Sequence, residues 1–207
     1  MAIMSPNVKF VVGVIGTQNT GKSTFIQDLI HITNMSGIGF QTVGCDYRKK
    51  VEEAGLQINR NGNLQSQKII CDTLIEQLDI ISRIPKGYFI TDRSPIDAYA
   101  YTMYLYRHNP ELNITEDDLN EMLAKVRESV KSYDKLVYID LDKCDNVVVV
   151  DDKFRDTNMD YRREIDSIFK ETLKKLNDVL CDKVIDDICG DRETRVNQFL
   201  DILEKKG

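Results

Sequence analysis

The eight residues Gly16-Thr17-Gln18-Asn19-Thr20-Gly21-Lys22-Ser23 fit the pattern G-x-x-x-x-G-K-[ST] without deviation, and they stand between two segments of different periodicity. Before them, Val8 to Ile15 is a nearly unbroken β-branched and aromatic run, as a strand covered on both faces requires. After them, Phe25, Ile26, Leu29 and Ile30 recur at helical spacing. Strand, glycine-bounded loop and helix in that order restrict the chain to folds in which a tight turn at the end of a central parallel strand opens a helix.

The chemistry of that turn follows from the residue types. Glycines let backbone N–H groups turn inward, and the helix N-terminus adds its partial positive charge. A lysine at the seventh position reaches the β- and γ-phosphates of a nucleotide, and a hydroxyl at the eighth can ligate Mg²⁺. The spacing thus assigns Gly16, Thr17, Gln18, Asn19, Thr20, Gly21, Lys22, Ser23 and Thr24 to Mg-ATP. The bland alternative is a glycine-rich βα turn without a nucleotide, against which pattern and context coincide.

Along the rest of the chain, strands alternate with long helices. Gly39 to Gly44 reads as a short second strand, and Asp46 to Ala54 as a charged helix ending at Gly55. Asn63 to Ile84 is one long helical pattern stopped by Pro85 and Gly87. Tyr88 to Ile90 is a third strand, followed by a helix to about Arg107 with Ser94 as cap and Pro95 at its first position. Thr115 to Asp118 resembles a capping box opening a helix to about Ser132, and Lys135 to Leu141 is the fourth strand. Val147 to Val150 reads as extended, Tyr161 to Leu180 as helix, Lys183 to Ile185 as a fifth strand and Asp191 to Leu203 as a last helix. Right-handed crossovers then predict a three-layer α/β domain, a mainly parallel five-stranded sheet with helices on both faces. No linker or repeat divides residues 1–207, so a single domain is expected.

Three further groups of residues fall where such a sheet places its crevice, beyond the carboxyl ends of the strands. Asp92 and Arg93 follow the third strand; Asp92 can hold Mg²⁺ and Arg93 can fork onto a substrate or phosphoryl oxygen. The alternative is a local ion pair, with Ser94 and Asp97 merely capping a helix. The polar stretch Asp151 to Asp156 running into Tyr161, Arg162 and Arg163 suits an arginine-bearing lid over about 151–163, with Arg155 the first choice for the phosphates and Arg162 the second. A solvated charged face is the competing description. Asp46 could accept a hydroxyl proton and Arg48 or Tyr47 could hold an acceptor, or all three could simply form the first turn of a charged helix.

Charge and cysteines bound the partners. With 28 basic and 34 acidic residues the net charge is −6, so the overall field repels polyanions, and DNA is disfavoured except at a local basic cluster. Five cysteines without a C-x-x-C pair fit free thiols in a reducing compartment. No leader-like N-terminus and no apolar run of spanning length are present, which predicts a cytoplasmic protein without a membrane partner. A homodimer is an assembly the sequence neither requires nor excludes.

Taken together, GTQNTGKST, TDRSPIDAYAY, DDKFRDTNMDYRREID and ICGDRETRV resemble the nucleoside and nucleotide kinase group of P-loop proteins over nearly the whole chain. The resemblance lies close to the thymidylate kinases, the deoxynucleoside kinases and the nicotinamide-riboside-kinase-like AAA-type domains often found in phage genomes. It implies transfer of the γ-phosphoryl group of Mg-ATP to a nucleoside or nucleotide. It carries substrate and metal contacts onto Asp92 and Arg93, lid contacts onto Arg155 and Arg162, and a proton-accepting role onto Asp46, beside the substrate-binding roles that their own positions suggest for Arg48 and Asp97. A loop packing on adenine would fall at Gly190-Asp191-Arg192. The Asp-Arg-Ser of this chain stands between the Asp-Arg-Tyr of thymidylate kinases and the Glu-Arg-Ser of deoxynucleoside kinases, which leaves the acceptor open. Two other readings stay beside it. A kinase acting on hydroxymethylated pyrimidine in phage DNA would need a basic track, and a nucleotide-dependent switch ATPase would need a partner.

Overall fold

A computed structural model of the chain describes residues 8–37, 39–143 and 158–205. The extended segment expected at Val147 to Val150 and the lid residues Asp151 to Asp156, Arg155 among them, lie outside the described residues.

The first strand, β1 (Lys9–Ile15), ends at the glycine loop, and α1 (Lys22–Met35) begins one residue before the end of the motif. Then follow β2 (Phe40–Gln41), α2 (Tyr47–Glu53), α3 (Leu64–Ser82), β3 (Gly87–Asp92), α4 (Pro95–His108) and α5 (Glu116–Ser129). The chain continues through β4 (Lys135–Tyr138), α6 (Met159–Lys175), α7 (Asn177–Leu180), β5 (Val184–Ile185) and α8 (Arg192–Lys205).

All strand pairs are parallel, in the order β2-β3-β1-β4-β5. The continuous apolar run of β1 is explained by its central place: alternate side chains feed two different cores. Val11 and Ile15 join the buried side chains of α2 to α6, with Leu74, Ile96, Tyr101 and Phe169. Val12 and Val14 join α1 and α8 on the other face, with Phe25, Leu29 and Phe199. Phe25 and Phe199 meet edge to face at 5.8 Å, and Arg192 forks onto Asp28 at 2.9 and 2.6 Å, so α8 is fastened along α1.

Capping agrees with the sequence where the caps were legible. Ser94 and Asp97 form a reciprocal box at the start of α4, and Thr115 and Asp118 do so for α5. Among the described residues no helix is long and apolar enough to cross a membrane. Burial pushes the Cys45 thiol up to about 11 and the Cys71 thiol up to about 12, so both stay protonated and inert near neutral pH.

Candidate active site

The strand order reverses about β1: β3 lies on one side and β4 on the other, and the glycine loop leaves the carboxyl edge at that point. Gly16 has φ +135°, and a Cβ there would lie 2.7 Å from the carbonyl oxygen of Ile139. Only glycine lets the loop turn so close to the neighbouring strand end. Gly21 caps α1 with φ +83°, which places the first free N–H groups of the helix at the loop. Thr17, Thr20 and Lys22 are buried in it, and Lys22 Nζ donates to the Thr17 carbonyl at 2.5 Å and lies 3.4 Å from Thr20 Oγ1.

Register explains how Asp92 reaches this loop from a distant part of the sequence. It lies opposite Val14 in the β1–β3 ladder, and the Ser23 hydroxyl donates to Asp92 Oδ2 at 2.7 Å. An exposed hydroxyl and a carboxylate brought together are hard oxygen donors of the kind Mg²⁺ takes, so the pair fits the ion.

Arg93 turns away from the strand in the left-handed region, with φ +83°. Its Nη1 donates to Asp97 Oδ1 at 3.0 Å, while Asp97 Oδ2 accepts from the Ser94 amide at 3.0 Å. The guanidinium also lies over the rings of Tyr47 and Tyr101, 6.0 and 5.8 Å from their centroids. Burial pushes the Asp97 carboxyl up to about 6 against the pull of Arg93 and Lys22, so the pair is ionised at neutral pH. The folded chain therefore holds this proton more tightly than the unfolded chain. Asp97 contributes most to stability below about pH 4, and about 3 kcal/mol of that is lost as pH rises to about 6. Denaturant unfolding from pH 4 to 7 should show a flatter pH profile in Asp97→Asn than in the wild type, and equal slopes would contradict this placement.

Beside the Arg93–Asp97 pair opens a cleft lined by Tyr47, Arg48, Ile58, Asn59, Gln67, Ile70, Arg93, Asp97, Ala98 and Tyr101. Gln67 is 1% exposed, and its Oε1 accepts no hydrogen bond among the described residues. The Tyr101 hydroxyl donates to Gln18 Oε1, which ties the cleft wall to the glycine loop.

The structure thus brings together most of the residues singled out in the sequence. Arg48, Arg93 and Asp97 line one cleft, and Lys22, Ser23 and Asp92 stand at the loop next to it. Asp46 is exposed at the N-terminus of α2, where its carboxylate accepts from the Lys49 amide at 3.1 Å, and it is not among the cleft-lining residues. Arg162 is 3% exposed, and its Nε and Nη2 donate to the carbonyls of Gln18 and Asn19 at 3.2 and 3.0 Å. Sequence reading missed Gln67 and Tyr101 as cleft residues and Arg195 as a loop contact, whereas Tyr47, a candidate beside Arg48, does line the cleft. Each missed residue occupies a helix position that also suits ordinary packing, so periodicity carried no signal. The acidic trio Asp140, Asp142 and Asp166 already surrounds the Lys170 ammonium at 3.0, 3.1 and 3.0 Å.

The parallel sheet, the glycine loop at its reversal point and the Asp-Arg pair on the next strand define the fold of P-loop nucleoside and nucleotide kinases. The model of the AAA domain family AAA_28 matches residues 11–195, and the chain belongs to that family. Among solved structures, thymidylate kinase from Candida albicans is similar with a TM-score of 0.64 and 16% identity over 96% of this chain and 92% of that one. NadR protein in complex with NAD and AMP-PNP gives a TM-score of 0.63 and 16% identity over 95% of this chain, which spans 49% of the NadR chain. Deoxyadenosine kinase from M. mycoides with bound dCTP gives 0.56 and 16% identity over 95% of this chain and 100% of that one. A sequence search of curated proteins gave no match.

Proposed function

We propose that the protein is a phosphotransferase that moves the γ-phosphoryl group of ATP onto a nucleoside or nucleoside monophosphate. The observation that carries this reading is the junction of two sites: the Ser23–Asp92 pair and Lys22 at the glycine loop adjoin a cleft walled by Arg93, Asp97, Tyr101 and Gln67. A hydrolase or switch needs the first site but not the second.

In this reading the inward amides of the loop and Lys22 bind the β- and γ-phosphates, the ammonium leaving the Thr17 carbonyl to do so. Ser23 and Asp92 would hold Mg²⁺, which when bound neutralises charge on the phosphates. The acceptor oxygen, a hydroxyl of a nucleoside or a phosphate oxygen of a monophosphate, attacks the γ-phosphorus, the bond to the β,γ-bridging oxygen breaks, and ADP leaves. Arg93, fixed by Asp97 and two tyrosine rings, bears on the transferring group, where a preoriented charge needs no rearrangement. Arg155 and Arg162 are the remaining arginines for the phosphates. Arg162 does so indirectly, through the loop carbonyls it holds.

The cleft supplies planar recognition. Tyr47 and Tyr101 offer aromatic faces, and the Gln67 amide offers an acceptor to the edge of a heterocycle. With a nucleoside acceptor the hydroxyl proton passes to water, since Asp46, the candidate base from the sequence, caps α2 outside the cleft lining. Incubation with γ-labelled ATP, Mg²⁺ and a panel of nucleosides, nucleoside monophosphates and nicotinamide riboside should move label onto at least one of them. Label appearing only as inorganic phosphate, whatever the acceptor, would refute the proposal.

A further inference from the structure

Four consecutive carbonyls of the glycine loop accept from buried cations, one within the loop and two on distant helices. Thr17 O accepts from Lys22 at 2.5 Å, Gln18 O and Asn19 O from Arg162 at 3.2 and 3.0 Å, and Thr20 O from Arg195 Nη1 at 3.0 Å. In a trans peptide the carbonyl of one residue and the N–H of the next point in opposite directions. Holding the carbonyls of residues 18–20 toward Arg162 and Arg195 therefore aims the amides of residues 19–21 the opposite way, toward the side where an anion would sit.

Lys22 has a use in the phosphate site itself, and Arg162, in the first turn of α6, belongs to the stretch of about 151–163 read as a lid. Arg195 has neither explanation. It lies on α8, far along the chain, and is 5% exposed. No carboxylate of the described residues lies within ion-pair distance of it. Its Nε donates to the Gly190 carbonyl at 2.9 Å, so one guanidinium spans the turn before α8 and the glycine loop. Burying a charge with only carbonyl partners is costly unless something returns the cost. A polyanion on the loop does so.

We propose that Arg195 is a positioning residue of the phosphate loop, holding the Thr20 peptide in its anion-binding orientation and tethering the loop to the turn at Gly190. The guanidinium fork is essential because it meets two carbonyls at once, whereas an ammonium in its place reaches one. Its action on nucleotide binding rests on the proposed kinase function; its action on the loop does not.

Hydrogen exchange on the nucleotide-free protein separates the two. In Arg195→Met, amides of residues 19–21 should exchange about tenfold faster, as expected when one charge-assisted hydrogen bond is lost. β4 and α5 should be unchanged, and Arg195→Lys should fall between wild type and Met. At a temperature where all three are folded, Mg-ATP affinity should fall in the same order, by about tenfold for Met. Unchanged exchange at residues 19–21 in both variants would overturn the proposal, as would faster exchange spread evenly over the chain. Should Arg195→Met fail to fold, Arg195→Lys carries the comparison. Faster loop exchange in a protein whose wild type ignores ATP would uphold the positioning role and sink the kinase reading instead.

Discussion

Replacing Lys22 with Met should lower phosphoryl transfer by about 10³-fold while leaving the protein folded. The ammonium donates to the Thr17 carbonyl and lies near Thr20 Oγ1, both within the loop it would serve, so its move toward phosphate is a short one. A methionine of similar length keeps the buried stem packed and forfeits about 1 to 2 kcal/mol of hydrogen bonding. Steady-state rates and a thermal melt on the same preparation check both halves. Transfer within tenfold of wild type would remove Lys22 from the chemistry, and a chain that no longer folds would make it structural.

The second large effect is at Arg93. Its left-handed backbone costs on the order of 1 kcal/mol, strain that a glycine would relieve. Removing the guanidinium, however, leaves Asp97 buried without its partner, at about 3 to 5 kcal/mol. Arg93→Gly should therefore be less stable than wild type despite its easier backbone, and adding Asp97→Asn should recover most of that loss. Neither variant should transfer phosphoryl groups at more than about 1% of the wild-type rate. Denaturant midpoints read the first claim and maximal rates the second. Recovery of activity along with stability in the double variant would show that Arg93 merely supports the fold.

Both predictions rest on residues that the sequence pointed to for different reasons and with different sharpness. Gly16 to Ser23 were legible because the residue types that make the motif fall within eight positions between a strand and a helix, although Arg162 and Arg195 hold its carbonyls from afar. The strand and helix order was legible for the same reason, as period and caps are short-range signals, and the alternation of β1 between two cores follows from its unbroken apolar run. Asp92 could be placed at a strand end, but its hydrogen bond to Ser23 depends on the Val14 to Asp92 register, which no local pattern encodes.

Short polar residues gave the least information. Asp46 and Asp97 both read as helix caps or as chemistry. Burial decides between them, since Asp46 is exposed at its cap and Asp97 lies 1% exposed against Arg93. Arg162 drew attention as one of several arginines near a lid, yet its contacts with Gln18 and Asn19 arise from the packing of α6 against the loop. Gln67 and Arg195 carried no signal because a polar residue in an amphipathic helix is ordinarily assigned to solvent.

The account stands on the loop from Gly16 to Ser23 gripping a nucleoside triphosphate. Titrating the wild-type protein with Mg-ATP in a calorimeter tests that most directly. We expect saturable binding at one site per chain, with a dissociation constant between about 1 μM and 1 mM, weakened when Mg²⁺ is chelated. Absence of binding to ATP, GTP and their deoxy forms at millimolar concentration, by protein that melts cooperatively, would contradict it.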